Sequence, residues 1–156
     1  MLCEFCAELQ EPATSRFSQI YPFVENRIVA KRGRLLAIPT IGQLFRGSLL
    51  VLPDFHTETM ASLPMDVLSL LEPFIFSLER VIAPDAGVLA FEHGAHCDTG
   101  GGCGIYHAHL HLVPVPRSVM VHELLGPGLE SNAFDTGSSL IDALVALRGI
   151  DEYLIV

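Results

Sequence analysis

Seven residues constrain this chain more than any others: His107-Ala108-His109-Leu110-His111-Leu112-Val113. Polar and apolar residues alternate along them, the pattern of a strand with two unlike faces. A strand over Tyr106 to Val113 sets His107, His109 and His111 on one face, roughly 6.5–7 Å apart. Ala108, Leu110 and Leu112 pack on the other. Three imidazoles in a row are costly to bury without partners. Their residue type points to a metal site, or to a phosphate site where histidine acts as nucleophile, acid and base.

The segment Asp98-Thr99-Gly100-Gly101-Gly102-Cys103-Gly104 precedes that strand. A loop so rich in glycine can turn its backbone N–H groups toward an anion. Joined to the histidines, it favours phosphate chemistry.

The remaining pattern places this strand in an α+β chain. Ile28–Ala30 and Leu35–Ile38 flank Lys31-Arg32-Gly33-Arg34, which reads as two strands around a glycine turn. Leu49–Leu52 is a buried strand closed by Pro53. Ser62-Leu63-Pro64 opens a helix whose apolar positions run to Val81, with Pro73 expected to kink or split it. Val88–Phe91 is a short strand, and Ser139–Leu147 a late helix. The chain ends on the apolar run Tyr153–Val156. Such a run is either paired in a sheet or continued by further chain, and continuation is the expectation.

Residues 1–156 are expected to form a single domain, because that length buries a core and no linker interrupts it. The formal net charge is −9, with 9 basic against 18 acidic residues. That balance argues against nucleic-acid polymers and anionic membranes as partners. The longest stretch without a charged residue, Thr99 to Pro116, holds four glycines and three histidines and suits no membrane span. Met1–Cys6 has neither a basic nor an apolar signal region, so the four cysteines are expected as cytoplasmic thiols or metal ligands.

The triad followed by apolar residues resembles the histidine triad (HIT) superfamily of nucleotide hydrolases and transferases. Cys3-Glu4-Phe5-Cys6 is similar to the CxxC at the start of many bacterial members, and Gly47–His56 to their strand followed by a histidine. The resemblance implies a HIT-like fold: an antiparallel sheet of about five strands, one main helix and a C-terminal helix, with dimerisation through helix and sheet edge. It implies that His109 attacks phosphorus to give a covalent nucleotidyl-histidine, with His111 on the phosphate. It also implies a structural zinc on Cys3, Cys6, His56 and His107. A second metal site on His93, His96 and Cys97 is a lesser reading.

By the same resemblance Thr40, Glu92, Cys103 and Gly104 fall at substrate- or phosphate-binding positions. There, and at Ser48, the usual hydrogen-bonding residues are replaced. Glu92 is the least expected, since a carboxylate beside a phosphate repels it. The alternatives are a nucleotide- or metal-binding module without catalysis, and a catalytic metal held by the three triad histidines.

Overall fold

The computed structural model describes residues 3–43, 45–97, 104–119 and 139–156. Cys103, Gly100–Gly102 and His122 lie outside the described residues.

Six strands form one antiparallel sheet: β1 (Ala30–Arg32), β2 (Leu35–Pro39), β3 (Leu49–Pro53), β4 (Gly87–Ala95), β5 (Leu110–Val115) and β6 (Glu152–Ile155). Their spatial order is β1-β2-β3-β5-β4-β6. The helices are α1 (Glu4–Gln10), α2 (Arg16–Ile20), α3 (Met65–Leu68), α4 (Leu71–Ile82) and α5 (Leu140–Ala146). The α+β architecture is the expected one. The sixth strand is the terminal apolar run, which pairs with β4 through Glu92↔Ile155 and Gly94↔Tyr153.

Period-2 alternation gives the sheet two apolar faces. Leu35, Ala37, Leu49, Val51, Leu110 and Leu112 join the core formed with α4 and α5. Leu36, Ile38, Leu50 and Leu52 meet Phe5 of α1 on the other face. His111 stands opposite Leu50 in register, and therefore on the α1 face. Short helices such as α1 leave little periodicity to read. Helix α1 is fixed instead by burial of Phe5 and by Glu8, whose carboxylate accepts two hydrogen bonds from Arg27 at 2.7 and 2.8 Å. That pair is only 9% exposed on each side. Arg27 also donates to the Pro39 carbonyl at 2.6 Å and covers the Phe17 ring.

Four boundaries differ from the sequence reading. Strand β1 lies at Ala30–Arg32 rather than Ile28–Ala30, because Lys31 and Arg32 pair with Leu36 and Leu35 up to the Gly33 turn. The helix expected from Ser62 begins later, because Met60–Ser62 forms a 3₁₀ turn and Pro64 caps α3. It splits at Ser69–Leu70, so Pro73, which has no N–H to donate, falls in the first turn of α4. Strand β4 runs on through Glu92-His93-Gly94 because β6 supplies a partner there. Strand β5 is shifted: it starts at Leu110 and runs to Val115. Residues before it leave the ladder, and the Ala108 amide donates to the Thr57 carbonyl at 2.7 Å. Pro114 is tolerated because β3 pairs only with Leu110–Leu112, leaving β4 alone alongside. Ser139 caps α5 as its residue type predicts, accepting from the Asp142 amide at 3.1 Å.

One cross-strand contact fixes the β4–β6 register. A Cβ built on Gly94 would lie 2.3 Å from the Tyr153 ring, so the phenol occupies the space a side chain would need. Gly94→Ala is expected to destabilise the protein by about 2 kcal/mol, in the range for overpacked cores. Urea unfolding of the variant would show it as a lower midpoint.

Candidate functional site: an imidazole row beside a thiol–imidazole cluster

His107 is fully buried, and each of its polar groups has a partner. Its Nε2 lies 3.1 Å from the Pro53 carbonyl oxygen. A carbonyl only accepts, so Nε2 carries the proton and Nδ1 presents a lone pair. That lone pair faces Cys3 Sγ at 3.4 Å and Cys6 Sγ at 3.6 Å. Cys6 Sγ also lies 3.5 Å from His56 Nδ1. The ligand atoms of Cys3, Cys6, His56 and His107 all fall within 4.8 Å of one another.

These distances fit a metal. A tetrahedral ion bonded at about 2.3 Å to sulfur and about 2.0–2.1 Å to nitrogen has sulfur–nitrogen edges of about 3.5 Å. The two cysteines and two histidines match zinc in donor softness and number. Nε2 of His107, held by a carbonyl, supplies the outer hydrogen bond that orients a ligating imidazole. Burial and the neighbouring Cys3 push the Cys6 thiol up to about 11, so its thiolate has to be stabilised by a cation to persist.

His109 sits beside this cluster. Its Nδ1 donates to the carbonyl oxygen of His107 at 2.6 Å, which fixes the tautomer with the proton on Nδ1 and the lone pair on Nε2. Phe5 stands edge-on to both rings, with centroids 5.6 Å from His107 and 5.5 Å from His109. The His111 ring lies 5.2 Å from that of His109. Phe91, its partner in the β4–β5 register, stacks on it at 4.5 Å with an interplanar angle of 1°. Burial, with His109 nearby, lowers the His111 pKa to about 4, so its ring is neutral at pH 7. The three imidazoles thus gather as the alternation predicts, although only His111 lies inside β5.

The other predicted positions divide. Thr40 lines a cleft of about 290 Å³ with Phe17, Tyr21, Val24, Arg27 and Ile41. Ser48 is buried and spends its hydroxyl on the Phe45 carbonyl at 2.7 Å. Gly104 is exposed with φ +80°, and a Cβ there would meet nothing within 4 Å.

Glu92 is not beside the imidazole row. Its neighbour Phe91 stacks on His111, so alternation turns Glu92 to the opposite face of the sheet. It is 1% exposed there and accepts from Tyr153 Oη at 2.5 Å and from the Met60 amide at 2.8 Å. Repulsion of a phosphate is therefore not its effect. Burial pushes its carboxyl up to about 7, against the pull of these donors. The three arginines from Arg27 to Arg34 are engaged elsewhere. Arg27 pairs with Glu8, Arg34 with Asp54, and Arg32 donates to the Pro73 carbonyl. His93 and His96 are drawn to different carboxylates, Glu152 at 2.7 Å and Glu58 at 2.6 Å. Among the described residues they form no metal cluster with Cys97.

Phe5, Phe91 and Tyr153 shape this region, yet no motif marks them. Phe91 and Tyr153 become legible only once strand register is known.

No family model matches the sequence, and no curated protein matches it significantly. Solved structures do. A hypothetical histidine triad nucleotide-binding protein from Sulfolobus tokodaii strain 7 is 21% identical, with 75% of this chain and 71% of that chain aligned at a TM-score of 0.52. A HIT family protein from Bacillus anthracis is 20% identical over 83% and 82%, at 0.55. A hypothetical protein from Leishmania major is 20% identical over 86% and 85%, also at 0.55. The chain has the fold of the histidine triad proteins.

Two outcomes follow from this geometry. The purified protein is expected to bind zinc one-to-one, and Cys3→Ser/Cys6→Ser to lose it, as metal analysis would read. The second concerns pH. Glu92 has its folded pKa raised from 4.5 to about 7. Between those values the folded state keeps a proton that the unfolded state releases, so stability falls as pH rises through the window, by up to roughly 3 kcal/mol. His111 acts in the opposite sense, its contribution being lost as pH falls from about 6.5 toward 4. Comparing urea unfolding of the wild type and Glu92→Gln across this range cancels the histidines. Only the wild type is expected to carry the downward component.

Proposed function

We propose that the protein is a nucleotidyl hydrolase or transferase of the histidine triad type, with His109 as nucleophile. The observation that carries the reading is the 2.6 Å bond from His109 Nδ1 to the His107 carbonyl, which puts the ring proton on Nδ1 and the nucleophilic lone pair on Nε2. The histidine triad fold, and its likeness to a Sulfolobus tokodaii protein named as nucleotide-binding, support the substrate class.

In the first step Nε2 of His109 bonds to the α-phosphorus of a nucleoside phosphate derivative. The bond from phosphorus to the leaving group breaks, and that group departs with the electron pair. Water, or another acceptor, then attacks phosphorus and gives its proton to His111, while the nitrogen–phosphorus bond breaks and its electron pair returns to Nε2 of His109. His111, held flat by Phe91, donates a hydrogen bond to a non-bridging oxygen. The negative charge of a bound phosphate raises the His111 pKa, so a proton becomes available for the leaving group. Gly104, with Cys103 before it, belongs to the loop assigned to the phosphate. The cleft at Thr40 takes the nucleoside, its aromatic and aliphatic lining suiting a planar base.

Cys3, Cys6, His56 and His107 would hold a zinc ion whose part is structural: it fastens the start of α1 to the residue whose carbonyl orients His109. A second reading, a binding module without turnover, draws on Ser48, whose hydroxyl is consumed by the Phe45 carbonyl and offers nothing to a ligand.

His109→Ala is expected to reduce turnover of phosphoramidate and dinucleoside polyphosphate substrates by about a thousandfold or more. Incubation with a nucleotide radiolabelled at the α-phosphate is expected to label the wild type at histidine and leave His109→Ala unlabelled. Unchanged turnover in the variant would sink the assignment. Ligand binding without any label would favour the binding module.

A further inference from the structure

The three imidazoles of the row are held in different ways. His107 commits Nε2 to the Pro53 carbonyl, and His109 commits Nδ1 to the carbonyl of His107. His111 lies inside the sheet between two apolar neighbours. In register it stands opposite Leu50 of β3 on one side and Phe91 of β4 on the other. Neither side chain has a polar atom. Among the described residues, no hydrogen bond reaches either nitrogen of His111.

What orients this ring is the face of Phe91. The two rings are parallel to within 1°, with centroids 4.5 Å apart. That is the close end of the range for stacked aromatic pairs. Strand pairing delivers the contact, because directly opposed residues of an antiparallel ladder project side by side from one face of the sheet. A stack engages the face of an imidazole, whereas both nitrogens lie on its edge. It therefore restrains the plane of the ring without occupying a donor or an acceptor. Both residues are half-buried.

We propose that Phe91 is a positioning residue for His111, its stack taking the place of the hydrogen bond that holds each of the other two rings, so that both nitrogens of His111 are kept for the substrate phosphate and its protons. The inference rests on the histidine triad reading of the site and deepens it by giving a part to a side chain with no polar atom. A neutral imidazole carries one N–H and one lone pair. With neither committed to the protein, His111 donates to a phosphate oxygen through one nitrogen while the other stays open. The plane of its N–H bond is set by β4 before substrate arrives, and donors fixed in advance are the ones that stabilise developing charge best. A ring turning freely about its Cβ–Cγ bond loses that alignment, and small misalignments cost rate steeply.

The test compares Phe91→Leu, which stays apolar but removes the ring face, with Phe91→Tyr, which keeps the face. Two readouts are taken on each full-length protein. The first is the position of the His111 ring protons in proton–carbon correlation NMR, assigned by their loss in His111→Gln. Stacking on a benzene ring moves such protons upfield. The second is kcat and KM for a phosphoramidate substrate. Phe91→Leu is expected to move the His111 signals downfield, toward those of an unstacked imidazole. It is expected to lower kcat about tenfold, with KM changed by less than about twofold. Phe91→Tyr is expected to keep the upfield signals and to hold kcat within about twofold of the wild type. Should Phe91→Leu fail to fold, Phe91→Met, closer to phenylalanine in size, carries the same comparison.

Unmoved His111 signals in the folded variant would overturn the stack as the restraint on the ring. Displaced signals with full kcat would overturn its catalytic relevance. An equal loss of kcat in Phe91→Tyr would show that the ring face is not what matters, and a raised KM at constant kcat would make Phe91 a substrate contact instead; either result overturns the positioning role. Failure of the triad reading shows separately, as turnover that survives His109→Ala.

Discussion

Everything near the reactive face depends on how one buried residue, His107, distributes its polar groups. Its Nε2 is anchored to Pro53, its Nδ1 is turned toward two thiols, and its carbonyl holds the ring of His109. One residue thereby belongs to two sites at once, its ring to the thiol cluster and its backbone carbonyl to His109. The bond to Pro53 sets both the tautomer and the plane of the ring. The turn by which the chain leaves β3 is consequently a component of the site.

The two faces of the sheet divide the remaining work. The face toward α4 and α5 is the larger apolar core, and it also accommodates the Glu92–Tyr153 pair. The face toward α1 carries the histidines, with Phe5 as their lid and the Glu8–Arg27 pair behind it. Acidic surplus across the chain as a whole does not set the charge at the imidazole row, where burial keeps the His111 ring neutral at pH 7.

How far the sequence alone leads depends on the range of each interaction. The histidine alternation and the CxxC are local signals, and each turns up where its residues place it. The strands around Gly33 and the buried run Leu49–Leu52 are legible for the same reason. Glu92 is not. Whether a strand-end carboxylate faces a ligand or a core depends on how far β4 continues, and that depends on β6, some sixty residues away in the chain. The start of β5 escapes for a similar reason: the loop after β3 captures Ala108 and withdraws His107 and His109 from the ladder. Helix α1 is too short for periodicity and exists through burial of Phe5 and the pairing of Glu8.

The spacing of the thiol–imidazole cluster has a kinetic side. Cys3 and His107 are 104 residues apart, with His56 between them. An ion held there closes two long loops, and the entropy of closing a loop grows only slowly with its length. The ligands can meet only after β3 and β5 have paired, which makes loading of the ion a late event in folding. Helix α1 is the element through which the cluster and the imidazole row are joined: Phe5 covers His107 and His109, and Cys6 stands one residue further on.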